Sequence, residues 1–241
     1  MMQFYREFSA YYDHIFQTSS DKVEFLADHA EKDEVILDVA AGTGNYALAL
    51  AEKNYSVQGL DLSKAMIKQA QAKINDRELD VEFQVGDMRK ATAIYNQNFA
   101  LIYCIGNSIV HLENEAEIKS VLKDFYTLLS ESGEVIIQIV NYDRILDKNV
   151  TNLPTIDNQE KKVKLIRNYE LVNAEQVNFK TKLITPDGEF ENSVPLYPLR
   201  SEELQEIVKK IGYTAIDFYG SFNYRDYSPQ GSFPLIAVIK K

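Results

Sequence analysis

The stretch Val35-Ile36-Leu37-Asp38-Val39 is apolar except for one carboxylate, and it runs straight into Ala40-Ala41-Gly42-Thr43-Gly44-Asn45. A short, almost continuous apolar run reads as a strand buried on both faces, the kind found inside parallel sheets. Gly42 and Gly44 then mark a tight turn where the backbone can approach a ligand without a Cβ in the way. Ala47 to Ala51 continue as a short helix that ends near Asn54. This strand–turn–helix order repeats downstream. Residues 56–60 form a second strand, and Ser63 caps a helix with Ile67, Ala70 and Ile74 on one face. Val81–Val85 alternates as a strand, and residues 99–105 form another apolar run. Ile118, Val121, Leu122, Phe125, Leu128 and Leu129 make the clearest helical stripe, with Gly133 expected just past its end, before a strand at 135–140. Strands alternating with helices over short connections predict an α/β fold, a doubly wound sheet covered by helices on both faces.

The rhythm breaks near Asn141. Val177, Phe179, Thr181 and Leu183 alternate, Pro186-Asp187-Gly188 is a turn signal, and Phe190 begins a further extended piece. Residues 150–196 are therefore expected to form an antiparallel β insertion within one domain spanning 1–241, because they are too few and too polar to build a core alone. The α/β pattern resumes after Ser201, with Leu204, Ile207, Val208 and Ile211 on one helix face and Gly212 closing it. Two strands, 215–219 and 233–239, finish the chain.

Composition narrows the function. With 26 Lys plus Arg against 36 Asp plus Glu, the 241-residue chain carries a net charge of −10, which argues against a protein that tracks nucleic acid or anionic lipid through bulk charge. Cys104 is the only cysteine, so neither a disulfide framework nor a cysteine-based zinc site is expected, and a reducing, cytoplasmic compartment is the default. No His/Cys cluster suggests a metal. The first ten residues lack the basic flank and apolar core of a signal peptide, and no apolar run is long enough to span a bilayer. A small-molecule ligand, with self-association left open, is the remaining expectation for partners.

Two carboxylates sit where the Gly42–Gly44 turn needs partners. Asp61 closes the second strand, where a carboxylate accepts both hydroxyls of a ribose. Gly86-Asp87-Met88 closes the third, where a polar and an apolar group together hold an adenine edge and face. All lie at carboxyl ends of consecutive parallel strands, the crevice in which open α/β sheets bind ligands. A dinucleotide fits poorly: its fingerprint is G-x-G-x-x-G, whereas the run here is A-x-G-x-G-x, and the residue two past Gly44 is Tyr46, not a third glycine. Asp38, inside the first strand, would also repel a pyrophosphate. A nucleoside bearing an amino acid, with a cationic ammonium and sulfonium, suits Asp38 far better, so S-adenosyl-L-methionine is the expected cofactor.

Leu37-Asp-Val-Ala-Ala-Gly-Thr-Gly44, Gly59-Leu-Asp61-Leu-Ser63-Lys-Ala-Met66 and Gly86-Asp87-Met88 together resemble successive motifs of the class I S-adenosylmethionine-dependent methyltransferases. The resemblance implies a Rossmann-like, seven-stranded sheet, mostly parallel, with its last strand antiparallel. It also implies a cofactor site of Asp38, Ala40, Gly42, Thr43, Gly44, Asp61, Leu62, Met66, Asp87, Met88, Cys104 and Ile105. Cys104-Ile-Gly106-Asn107-Ser108-Ile-Val-His111-Leu112 and Asn141-Tyr142-Asp143-Arg144-Ile145-Leu146, with Tyr197-Pro198 downstream, are similar to segments of the glycine/sarcosine N-methyltransferases. That narrower resemblance implies methyl transfer at nitrogen and makes Asn107 the candidate that helps hold the acceptor. One position departs: the family places an Arg before Asn-Tyr-Asp to grip the substrate carboxylate, and this chain has Val140. The fold and the methyl chemistry carry over; the glycine substrate does not.

Asn107, His111 and Tyr12 are the candidate catalytic residues. His111 follows the fourth strand at the rim of the crevice, or else caps a loop. Tyr12 belongs to a helical arm over residues 1–30, expected to act as a lid, and either reaches the cofactor or packs the arm. Phe218, Tyr219, Phe222, Tyr224 and Tyr227 either line an acceptor pocket or edge a strand. Arg144 and Arg200 either anchor an anionic acceptor in place of the missing Arg or lie solvated at the surface. A macromolecular acceptor such as tRNA or protein, and a module that binds cofactor without catalysis, are the competing readings; the first would require a basic face that this chain lacks.

Overall fold

The computed structural model describes residues 2–74 and 77–241, so Met1 of the N-terminal arm lies outside the described residues. The arm consists of helices α1 (Met2–Ile15) and α2 (Ser20–Asp28). The chain then alternates β1 (Val35–Val39), α3 (Asn45–Ala51), β2 (Ser56–Asp61), α4 (Lys64–Ile74), β3 (Val81–Val85), α5 (Ala91–Ile94), β4 (Phe99–Cys104), α6 (Glu115–Leu128) and β5 (Leu129–Val140). Helix α7 (Tyr142–Asp147) leads to β6 (Asn152–Asn158), β7 (Val163–Asn173), β8 (Gln176–Thr185) and β9 (Gly188–Leu196); α8 (Ser201–Ile211), β10 (Ala215–Tyr219) and β11 (Pro234–Lys240) close the chain.

Seven strands form one sheet in the order β10-β11-β5-β4-β1-β2-β3, and β11 runs antiparallel to both its neighbours. The expected doubly wound α/β sheet with a reversed last strand is the architecture observed. Strand β1 lies between β4 and β2, which explains why its sequence is apolar on both faces. Chain order reverses direction between β1 and β4, so the crevice at their carboxyl ends is where a ligand enters. One apolar cluster, including Leu37, Ile102, Ile137 and Phe125, covers one face, and a second, including Ile36, Leu101, Ile136 and Phe25, covers the other.

Gly133 does not end a helix. Helix α6 stops at Leu128, Leu129 turns extended, and β5 runs through Gly133. The glycine instead serves a register shift between β4 and β5, where a Cβ would lie 3.0 Å from the Phe99 carbonyl oxygen. The expected fourth strand likewise ends one residue early, at Cys104.

Strands β6 to β9 form a separate four-stranded antiparallel meander with the hairpin expected at Pro186-Asp187-Gly188. Its apolar side chains are shared with the rest of the molecule. Leu153, Tyr169, Val177 and Leu196 join the core that contains α6, while Val163, Leu165 and Leu183 pack with Ile15 of α1. Among the described residues no helix is long and apolar enough to cross a membrane.

Candidate cofactor crevice and acceptor site

The loop after β1 is built on left-handed backbone: Ala40, Gly42 and Gly44 have φ of +61°, +58° and +76°. Gly44 has no alternative, because a Cβ there would sit 2.4 Å from the Phe83 ring. Ala40 accepts the strain that a non-glycine residue carries in this region, a cost of order 1–3 kcal/mol that clusters at functional loops. The loop is held open by Asp61 at the end of β2. One Asp61 oxygen accepts the Gly42 N–H at 2.8 Å and the other accepts the Ser63 N–H at 2.7 Å. Each oxygen keeps a lone pair for a further donor, such as one hydroxyl of a diol. Burial pushes the Asp61 pKa up, partly offset by those two backbone bonds.

Asp38 is 3% exposed. Burial raises its pKa to about 8; the groups acting on it are the Tyr103 hydroxyl, which lowers it, and the Asp61 carboxylate, which raises it further. No cation is among them. A buried carboxyl left so is a socket for a positive charge. Leu62, next in sequence to Asp61, is 68% exposed. Met66, Cys104 and Ile105 are buried, and burial pushes the Cys104 thiol far above its ordinary range. Asp87 caps the turn Met88–Lys90, and its carboxylate is gripped by its own neighbour Arg89, whose Nη2 donates at 2.7 Å. That pairing holds Asp87 below the ordinary carboxylate range.

The N-terminal arm is tied directly to this loop. Asp13 accepts from Thr43 Oγ1 at 2.5 Å, Asn45 Nδ2 at 2.8 Å and Lys73 Nζ at 2.6 Å. Lys73 also donates to the Thr43 carbonyl and to Asn45 Oδ1. Tyr12, one residue earlier, lays its ring over Gly42, with the hydroxyl 3.6 Å from where a Cβ would be. On its other side α1 reaches the small sheet: Tyr11 donates to Asp187 Oδ2 at 2.5 Å, and Asn158 Nδ2 donates to the His14 carbonyl at 3.0 Å. Burial outweighed by these hydrogen bonds leaves Asp13 with a lowered pKa. Asp13→Ala is expected to raise the cofactor Kd about fivefold to tenfold, because all three bonds that tie the arm to the loop are lost while the loop's own ligand contacts remain, and to speed amide hydrogen exchange across α1; isothermal titration and exchange mass spectrometry check both.

At the end of β4, Gly106 and Asn107 have φ of +85° and +70°. Asn107 is clamped: its Oδ1 accepts the Val140 N–H at 2.9 Å and its Nδ2 donates to the Tyr142 hydroxyl at 3.1 Å. A Cβ at Gly106 would meet nothing within 4 Å, so open space adjoins Asn107. His111 follows in a short turn on the rim, exposed as a residue, with its ring sufficiently desolvated to hold its pKa below the ordinary imidazole value.

Several sequence candidates lie elsewhere or are already engaged. Phe222 and Tyr224 pack on Phe25 of α2, and Tyr227 donates toward both Asn141 Oδ1 and Asp143 Oδ2, so this aromatic stretch buttresses the α2 and α7 supports and leaves the pocket to others. Arg200 pairs with Asp143 and Asp147, which rules it out as a free anion anchor. Tyr197 donates to Glu203. Sequence reasoning missed Asp13, Lys73 and Tyr142. The first two lie 60 residues apart on helices whose packing no local pattern encodes, and Tyr142 reads locally as an ordinary apolar helix residue. Among the described residues, no group of three or more His, Cys, Asp or Glu is placed to hold a metal ion.

Residues 36–133 match a family described as a methyltransferase domain. The glycine/sarcosine N-methyltransferase of Aphanothece halophytica is 28% identical over 227 residues, covering 92% of this chain and 83% of that protein. That of Halorhodospira halochloris is 30% identical over 196 residues, covering 80% and 71%. The crystal structure of a S-adenosylmethionine-dependent methyltransferase from Clostridium acetobutylicum ATCC 824, 20% identical, superposes with a TM-score of 0.80 over 98% of each chain.

Proposed function

The chain belongs to the class I S-adenosylmethionine-dependent methyltransferases, and from that premise we propose that its acceptor is a small-molecule amine, methylated at nitrogen beside Asn107. The crevice fits the cofactor. Asp38 offers a buried anion to the ammonium, Asp61 a free lone pair to each ribose hydroxyl, and Leu62 an apolar face to the adenine. When bound, S-adenosylmethionine supplies an electrophilic methyl group. The remaining work of the protein is to align the nucleophile in line with that methyl and to keep water out.

The observation that carries the amine reading is that Asn107, beside open space, is held by the Tyr142 hydroxyl and the Val140 N–H, neither of which is a base. Burial drives the pKa of Tyr142 well above the ordinary phenol value, and that of Tyr169 beside it to about 12. Such side chains are poor bases at neutral pH. An alcohol acceptor would have to lose a proton of high pKa during attack. An amine has only to arrive neutral, which desolvation achieves, and the neutral imidazole of His111 on the rim is available to take the proton released after transfer. Two relatives whose names place the methyl on nitrogen support the same reading. The arm α1 and the sheet β6–β9, which pack on each other, cover the acceptor side in this arrangement.

Ethanolamine, which offers nitrogen and oxygen in one molecule, makes a direct test. Mass spectrometry of products from ethanolamine and from a set of primary and secondary amines is expected to find methyl groups on nitrogen alone. Transfer to oxygen, or to tRNA or protein but to none of the amines, would overturn the reading.

A further inference from the structure

Arg144 on α7 and Arg167 on β7 carry charge into the protein without a carboxylate to meet it. Among the described residues neither forms an ion pair, whereas Arg77, Arg89 and Arg200 each do. The Nε–H groups of both are buried and have no hydrogen-bond partner among the described residues. The Arg144 guanidinium lies over the Phe233 ring at 5.6 Å, and Arg167 spends one Nη2 donor on the Pro154 carbonyl at 2.7 Å. Two residues beyond Arg167, Tyr169 is 3% exposed, and among the described residues its hydroxyl has no group to donate to. The Tyr142 hydroxyl beside it, and after it the two guanidinium groups, favour its ionised form against the effect of burial.

Native proteins rarely leave three such donors unsatisfied around one place, because each unpaired buried polar group costs on the order of 1–3 kcal/mol and a buried charge more. A ligand anion would meet all three. The cluster is continuous with the acceptor site: the Tyr169 ring lies 6.1 Å from that of Tyr142, whose hydroxyl holds Asn107. The position at which the resembled family keeps its carboxylate-gripping Arg is Val140, which is apolar and 7% exposed.

We propose that Arg144, Arg167 and the Tyr169 hydroxyl form an oxyanion subsite, and that the acceptor amine carries a carboxylate or phosphate seated there. This rests on the methyl-transfer reading above. The Tyr142 hydroxyl lies between the two ends of such an acceptor, bonded to Asn107 on one side and next to Tyr169 on the other.

Calorimetric titration of the protein saturated with S-adenosylhomocysteine tests this without requiring turnover. The probes are γ-aminobutyrate and phosphoethanolamine, with 4-aminobutanamide and ethanolamine as neutral counterparts. At least one acid is expected to bind about tenfold or more tighter than its counterpart; γ-aminobutyrate would mark a carboxylate site and phosphoethanolamine a phosphate site. Arg144→Gln should erase most of that preference, and Arg167→Lys, which keeps the charge but loses the planar fork, should reduce it. The S-adenosylhomocysteine Kd, unchanged within about twofold, reports that each variant is folded. Equal binding of acid and neutral probe, or a preference that survives Arg144→Gln, overturns the subsite. Selective binding of acids without methyl transfer to any of them would instead refute the acceptor reading and leave the subsite standing.

Discussion

Asp61→Ala raises the Kd for S-adenosylmethionine by about 100-fold or more in the outcome expected from this geometry. The carboxylate accepts from Gly42 N–H and Ser63 N–H, and in the proposed binding mode each oxygen keeps a lone pair for one ribose hydroxyl. Two charge-assisted bonds of about 1.5–3 kcal/mol each are lost, and roughly 3 kcal/mol already corresponds to about 100-fold. Asp61→Asn is not a conservative alternative. Whichever way its amide turns, the NH2 group faces a backbone N–H that formerly donated to an oxygen, so one donor is left opposing another. Its cofactor affinity should fall nearly as far as that of the alanine variant, with a lowered Tm in addition. Calorimetric titration of both variants checks this; an asparagine variant that binds within threefold of the unsubstituted protein would show that Asp61 does not hold the ribose.

The second large effect is a pH dependence that originates at Asp38. Its pKa of about 8 in the folded protein means the carboxyl is mostly protonated below that pH. Binding an ammonium favours the ionised form, so cofactor binding should release a proton and tighten as pH rises from 6 toward 8, by up to about tenfold per unit. Above about 8 the cofactor ammonium itself begins to deprotonate, and affinity turns down. Asp38→Asn should remove the rising limb and weaken binding throughout. The sign for stability runs the other way. Between an unfolded value near 3.9 and the folded value of about 8, the folded state holds a proton that the unfolded state has lost, so raising the pH through this window destabilises the protein. Below the window the group is protonated in both states and has no effect; above it, the full cost of the buried anion is present. Asp38→Asn, neutral and of the same size, is thus expected to raise the Tm of the cofactor-free protein at pH 8 while abolishing tight binding. Thermal melts and titrations at pH 6, 7 and 8 separate the two; a cofactor affinity flat over that range would exclude the role given to Asp38.

The large sheet was legible because its signals are local. A buried parallel strand must be apolar on both faces, which Val35–Val39 and Phe99–Cys104 satisfy almost without exception. The turn after β1 needs left-handed backbone, so its glycines stand in the sequence itself. Asp61 and Asp87 stood out for a related local reason, as carboxylates at or just beyond the carboxyl ends of β2 and β3. Gly133 misled because a glycine just beyond a helical stripe has two uses, a helix stop or a close strand approach, and only the β4–β5 register distinguishes them. Arg144 and Arg200 look equivalent as letters. Packing separates them by giving Arg200 two carboxylates and Arg144 none among the described residues.

By itself the sequence determined the order of strands and helices, the glycine turn after β1 and the carboxylates at the strand ends beside it, because these signals are local. Only the tertiary structure decided what ties that loop to the N-terminal arm and which side chains of the second sheet pack near Asn107. Asp13 meets Thr43 across 30 residues, and Tyr169, from a strand of the second sheet, packs against Tyr142 with the Arg167 charge near it. Such contacts follow from how helices and sheets stack, which no residue spacing encodes.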